Sequence, residues 1–344
     1  MESQWNEFIN DYIKKDRKKY ANKAFSVPVT KQLVNGIELT IRLETEKDIK
    51  EVEELTKRAF CKRKRMKEIC GAGCDEHYLC HTLRLSPEFA PELNFVAETE
   101  ICGEEIIVGN VMSSMGYIEN GSGELRPVLN YGPLSTLPEF QNTGVGSALM
   151  THSIQTAKKL GYGGILFFGH PNYYPRFGLK EAVVFGITTS WGKNFPAFMG
   201  MELIERYLSD FGGKYHESPL MAVNPAGAKK YDTKFPHIPL TPEVVSASEI
   251  HLPFLAKLLA EKKSTTAEEW REKITDTETT SNFIIYTESQ PAGYLQLSLC
   301  GDDTICVSKL IICLERKNEN LESFALSFAK DYAGVNLKNL KLVD

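Results

Sequence analysis

Gln141, Gly144 and Gly146 form the pattern Q-x-x-G-x-G, and Ser147 opens a run of helical period, SALMTHSIQTAKKLGY. Glycine weakens a helix by roughly 0.5–1 kcal/mol relative to alanine, so two of them at a helix start need a reason. One reason is a tight turn. The other is chemical: a helix N-terminus carries unpaired N–H groups and the positive end of the helix dipole, and glycine lets that backbone approach a phosphate. The pattern by itself leaves both open. Further on, the apolar run ILFF (165–168) ends in Gly169 and His170. A histidine closing a buried strand stands where α/β folds place ligands, and its ordinary pKa suits proton transfer. A structural histidine is the competing reading.

These residues need elements to hold them. IELTIRL (37–43) alternates as a half-buried strand, and EKDIKEVEELTKRAF reads as an amphipathic helix. NFVAETEICGEEIIVGNVMSSM has the form of a hairpin, and LNYGPLSTL is a strand leading into the glycine pair. The helix after Gly146 is closed by Gly161, and ILFF is apolar on both faces as a central strand would be. Alternating strands and helices predict an α/β fold. The first 25 residues read as helical, with Trp5, Phe8 and Tyr12 at helical spacing ahead of the basic run KKDRKK. That helix either docks a second subunit as a homodimer contact or packs on its own domain.

Prolines crowd KFPHIPLTPEV and mark a boundary, giving a domain over 1–236 and a smaller α/β domain over 237–344. Beyond it the order helix, hairpin, strand, helix, strand returns. GPLSTLPEFQNTGVGSAL aligns with SKLIICLERKNENLESFA, placing Glu139 opposite Glu315, Gly144 opposite Asn320 and Gly146 opposite Glu322. The second domain thus reads as a degenerate repeat without the anion-binding loop.

At 344 residues, with 42% hydrophobic and 25% charged residues, the chain is an ordinary globular protein large enough for two domains. A net charge of −5 argues against nucleic acid as the main partner. The opening MESQWNEFIN lacks a secretory pattern, and no run is apolar enough to span a bilayer. Eight cysteines over this length form no disulfide framework, so a cytoplasmic setting is expected.

Taken with HPNYYPRFGLKEA after the central strand, the glycine pattern resembles the GNAT superfamily of N-acetyltransferases, and its YhbS-like branch in particular. The resemblance covers roughly residues 37–236. It implies an α/β fold with a mixed central sheet flanked by helices, acetyl-CoA as co-substrate, and a primary amine, on a small molecule or a protein, as acceptor. It assigns the pantetheine arm to Leu134, Ser135 and Thr136, with Asn172 and Phe177 beside it. The pyrophosphate falls to the loop of Gln141, Asn142, Thr143, Gly144, Val145, Gly146 and Ser147. Tyr174 takes the family position of the general acid that protonates the leaving sulfur. Where one branch carries a glutamate base, this chain has Asn130, which leaves water relayed to Glu98, Glu119 or His170. A non-catalytic acyl-CoA sensor fits the same loop. The cysteines and histidines of CKRKRMKEICGAGCDEHYLCH are of metal-ligand type, but no C-x-x-C spacing supports zinc. Buried thiols in a segment covering the substrate are the expectation, and no metal is expected.

Overall fold

The computed structural model describes residues 2–9, 29–61, 74–236, 238, 242–260, 270–271, 274, 279–301, 303–336 and 338–342. Tyr12, the KKDRKK run, Lys62–Arg65, Cys70 and Pro239 lie outside them. The first part runs α1 (Glu2–Phe8), β1 (Thr30–Val34), β2 (Ile37–Leu43), α2 (Ile49–Phe60), α3 (Glu76–Arg84), β3 (Phe95–Ile101), β4 (Glu104–Glu119) and β5 (Leu125–Thr136). It continues with α4 (Val145–Leu160), β6 (Gly164–Phe168), β7 (Lys180–Glu181), β8 (Ile187–Thr189), β9 (Phe198–Glu202), β10 (Gly213–His216) and α5 (Pro225–Asp232). The second part holds β11 (Glu243–Ser246), α6 (Leu252–Ala260), β12 (Thr280–Thr287), β13 (Gln290–Gly301), β14 (Thr304–Ile312), α7 (Leu321–Val335) and β15 (Asn339–Leu342).

Two sheets form. The ten-stranded one has the order β1-β2-β3-β4-β5-β6-β9-β7, with β10 paired to β4 and β8; the five-stranded one runs β11 to β15 in sequence. β11 to β15 repeat β2 to β6 in order and direction: three antiparallel pairings, then one parallel pair. The parallel pairs are β5 with β6 across α4, and β14 with β15 across α7. Even the helix entry is kept, since Gly144 (φ 105°) and Asn320 (φ 55°) are both left-handed N-caps. Asparagine is among the few side chains that tolerate this conformation.

α4 buries Val145, Leu149, Met150, Ala157 and Leu160 on one stripe against the large sheet. α2 covers the opposite face with Val52, Leu55 and Thr56. Each large apolar side chain so buried contributes about 1.5–3 kcal/mol. α1 lies on its own chain: Trp5 and Phe8 are buried with ring centroids 5.4 and 4.9 Å from Tyr117, and Trp5 Nε1 donates to Glu88 at 2.6 Å. A disulfide joins Cys300 and Cys306. Among the described residues no helix is long and apolar enough to cross a membrane.

Candidate active site

The parallel strands β5 and β6 meet at one pair, Leu129 with Ile165, and diverge beyond it. A bulge in β5 drives the divergence. Val111 faces Leu134 and Ser113 faces Tyr131, so Gly132 and Pro133 both stand opposite Met112. Two residues against one bend a strand and increase its twist. The stretch Leu134 to Thr136 therefore keeps β4 on one edge and presents its other edge to the gap. By alternation, Leu134 and Thr136 point toward α4, while Ser135 points to the other face and meets Thr56 Oγ1 at 3.0 Å.

The gap leads to the start of α4, where the two glycines answer to different constraints. Gly144 has positive φ, and a Cβ there would stand 2.6 Å from Val34 Cγ1. It is a turn glycine under the tip of the β1–β2 hairpin, where Asn35 Nδ2 donates to the Thr143 carbonyl at 2.7 Å. Gly146 lies inside the first helical turn, and its Cβ would point at the Tyr173 hydroxyl (3.2 Å) and Thr136 Oγ1 (3.4 Å). Its bareness keeps the mouth of the gap open. The N–H groups of Val145, Gly146 and Ser147 precede the first helical donor, Ala148, which bonds the Gly144 carbonyl; the first turn holds no acidic residue, and no side chain caps it. A phosphate fits there on charge and on hydrogen bonding. Gln141 Nε2 donates to the Thr136 carbonyl at 3.3 Å, tying loop to strand end, and Asn142 takes φ 64°.

Loop and strand are also braced from beneath. Glu139, 3% exposed, pairs with Arg58 of α2 at 2.5 Å and accepts the Tyr286 hydroxyl of β12. The second sheet thus grips the turn that precedes the glycines.

On the α4 face, the Tyr174 ring packs edge-on against Phe167 at 4.7 Å and covers Gly169. Burial pushes its hydroxyl up to about 12, so it holds its proton at neutral pH. The Tyr173 hydroxyl sits 3.4 Å from Ser147 Oγ, at the glycine loop itself. Phe177 is half-buried beside Tyr173, at 5.5 Å. His170 and Asn172 are exposed on the turn after β6, where His170 Nδ1 accepts the Asn172 N–H at 3.3 Å. Glu98 is held by Arg42 at 2.7 Å, and Glu119 lies 3.3 Å from His216 Nε2 at the far end of β4, so neither reaches the bulge. Asn130 does: it is 2% exposed, one residue before Tyr131, which faces Ser113 at the bulge.

Sequence reasoning passed over Tyr173 and the β1–β2 hairpin. The hairpin had a signal, Asn35-Gly36 between alternating runs, which take φ of 49° and 83°. Of the cysteine- and histidine-bearing segment, Cys61, Cys74 and Cys80 are buried. Burial raises the Cys61 thiol to about 11, the Cys80 thiol to about 12, and the Cys74 thiol as well, which keeps all three protonated. His77 turns Nδ1 to Cys74 (3.4 Å) and Nε2 to Asp232 (3.1 Å), so these groups lie on opposite sides of its ring and converge on no common point. Among the described residues no cluster suited to a metal ion forms.

No protein-family model matches the chain. Over 48 residues it is 38% identical to the uncharacterized N-acetyltransferase YjhQ of Escherichia coli K12, a match spanning 14% of this chain and 26% of that protein. The chain therefore spans about a quarter of the length of that curated relative. The GNAT family N-acetyltransferase YhbS of Escherichia coli, solved in complex with CoA, superposes with a TM-score of 0.46 at 22% identity, over 54% of this chain and 93% of that one. A GNAT family acetyltransferase of Brucella melitensis, in complex with acetyl-CoA, gives a TM-score of 0.39 at 20% identity over 53% and 97%. The curated relative is thus described as an uncharacterized N-acetyltransferase, and both of these solved proteins as acetyltransferases of the GNAT family.

Proposed function

We propose that the chain is an acetyl-CoA-dependent N-acetyltransferase that moves the acetyl group directly to a primary amine, with its catalytic domain over 1–236 and a degenerate repeat of it over 237–344. The observation that carries this is the gap between β5 and β6, which opens at a bulge and ends at the uncapped start of α4 beside Gly146. Acetyl-CoA supplies an acyl carbon activated as a thioester. Leu134, Ser135 and Thr136 offer the free edge of β5 to the pantetheine arm, with Asn172 and Phe177 across the gap. The loop from Gln141 to Ser147 holds the pyrophosphate, with the N–H groups of Val145, Gly146 and Ser147 turned to it while those of Gln141 and Thr143 stay on the Pro138 and Phe140 carbonyls, and the Tyr173 hydroxyl adds a donor at Ser147. Tyr174, which retains its proton, donates it to the departing sulfur. His170, exposed at the end of β6, is the solvent end of a proton path.

Calorimetric titration of acetyl-CoA into the intact protein tests this reading. One site per chain is expected. Absence of binding across buffers and salt concentrations sinks it. Binding without acetyl transfer to any amine, and so without release of free CoA, would favour the sensor, the reading that the uncharged Asn130 supports.

A further inference from the structure

A second group of polar side chains gathers on the sheet face opposite α4, and nothing assigned so far uses it. β10 lays Tyr215 over Gly116 of β4, where a Cβ would stand 3.0 Å from the ring and 3.3 Å from its hydroxyl. Ser114, two residues from Gly116 and so on the same face, pairs across the strands with Asn130. Ser114, Asn130 and Tyr215 are 1%, 2% and 2% exposed. Ser114 Oγ, Asn130 Nδ2 and the Tyr215 hydroxyl find no hydrogen-bond partner among the described residues. Each such group costs about 1–3 kcal/mol when buried unpaired, so three together mark a place for a polar ligand.

Glu217 follows Tyr215 by two residues and is half-buried. The chain after it returns to the bulge, since the Met221 methyl lies 3.8 Å from where a Gly132 Cβ would be. An aromatic shelf adjoins. Phe168, at the end of β6, stacks on Phe195 at 5.5 Å and on Trp191 at 6.4 Å, and its ring centroid lies 6.3 Å from that of Tyr215. Trp191 and Phe195 are 59% and 39% exposed, large rings left open to solvent. Thr189 pairs in parallel with Tyr215, and Trp191 stands in the turn that follows, closed by the Gly192 N–H on the Thr189 carbonyl.

We propose that this is the acceptor site, where Glu217 takes the proton of a primary amine whose flat apolar body lies on the rings of Phe168, Trp191 and Phe195. The inference rests on the acetyl-transfer reading. The nitrogen lone pair forms the new N–C bond to the acetyl carbon while the C–S bond breaks and its electron pair goes to sulfur. Tyr174 protonates that sulfur, and Glu217 receives the proton the nitrogen loses. Ser114, Asn130 and Tyr215 hold the amine and a water against the bulge. Burial raises the Glu217 carboxyl to about 7, near the pH at which it must accept a proton and pass it on.

The test is CoA release, read by thiol titration, with tryptamine, 2-phenylethylamine and spermidine, beside calorimetry of acetyl-CoA. Both aryl amines should be acetylated, with kcat/KM about tenfold above spermidine, since apolar contacts discriminate by that order. Glu217→Gln should lower kcat about 100-fold, the usual worth of a general base, with acetyl-CoA affinity unchanged. Glu217→Asp, which keeps the carboxylate, should regain part of that loss. Trp191→Ala should raise KM for tryptamine about tenfold and leave kcat in place. Wild-type kcat in Glu217→Gln, preference for spermidine, or a wild type that binds acetyl-CoA yet acetylates none of the three overturns the site. A wild type that binds no acetyl-CoA instead overturns the acetyltransferase reading beneath it.

Discussion

Exchanging each glycine of the α4 entry for alanine separates the two constraints found there. In Gly144→Ala the new methyl must sit at φ 105° and 2.6 Å from Val34 Cγ1. The left-handed backbone costs about 1–2 kcal/mol for an L-residue, and overpacking Val34 adds about 1 kcal/mol or more. We expect the variant to lose about 2–3 kcal/mol, read as an earlier midpoint in urea. Gly146 is helical, so alanine there gains up to about 0.5–1 kcal/mol of helix propensity. Its methyl points into the gap at 3.2 Å from the Tyr173 hydroxyl and 3.4 Å from Thr136 Oγ1. Stability should hold or rise, while acetyl-CoA binding should weaken by about tenfold, or 1.4 kcal/mol. Calorimetry on both variants and the wild type, with urea unfolding alongside, gives all four numbers. A Gly146→Ala protein that binds acetyl-CoA as the wild type does would refute the assignment of that glycine to the ligand. Equal losses of stability in both variants would refute the division between them.

Tyr286→Phe removes the hydroxyl donated to buried Glu139 and leaves that carboxylate to Arg58 alone. A hydrogen bond to a charged group is worth about 1.5–3 kcal/mol, so urea unfolding should show a loss in that range, and unchanged stability would show that the second sheet does not brace the loop. Glu217 makes stability depend on pH. Its folded pKa, about 7, lies above the unfolded value, so the native state binds more protons in between. Stability should fall as pH rises from about 4.5 to 7 and level off above. Glu217→Gln should flatten that stretch of the curve, and an identical slope in the variant would refute the burial of this carboxylate.

Much of the fold was legible because long elements repeat their period. The β3–β4 hairpin, α4 and β6 stood out in this way, and so did the second domain through the offset that sets Glu139 opposite Glu315. The short strands β7 to β10 did not, since two to five residues carry too little pattern. The glycine loop was visible for its spacing alone, yet the spacing could not say that Gly144 answers to Val34, more than a hundred residues earlier. Tyr173 and Tyr174 are indistinguishable as a pair in sequence; only the turn after His170 sends one hydroxyl to Ser147 and one ring to Phe167. Glu217 was hidden for the same reason. Its burial comes from the fold, and no local pattern marks a lone glutamate after Lys214, Tyr215 and His216.

The Asn35 clasp on the Thr143 carbonyl has a kinetic consequence. A phosphate-binding loop left free must be ordered by its ligand, which subtracts from affinity and slows capture. Here the β1–β2 tip, the Gln141 tie and the Glu139 brace fix the loop from three directions before any ligand arrives. Under the proposed function, association is an encounter with a rigid surface, and differences in affinity among acyl-CoA esters would pass into how long each one stays.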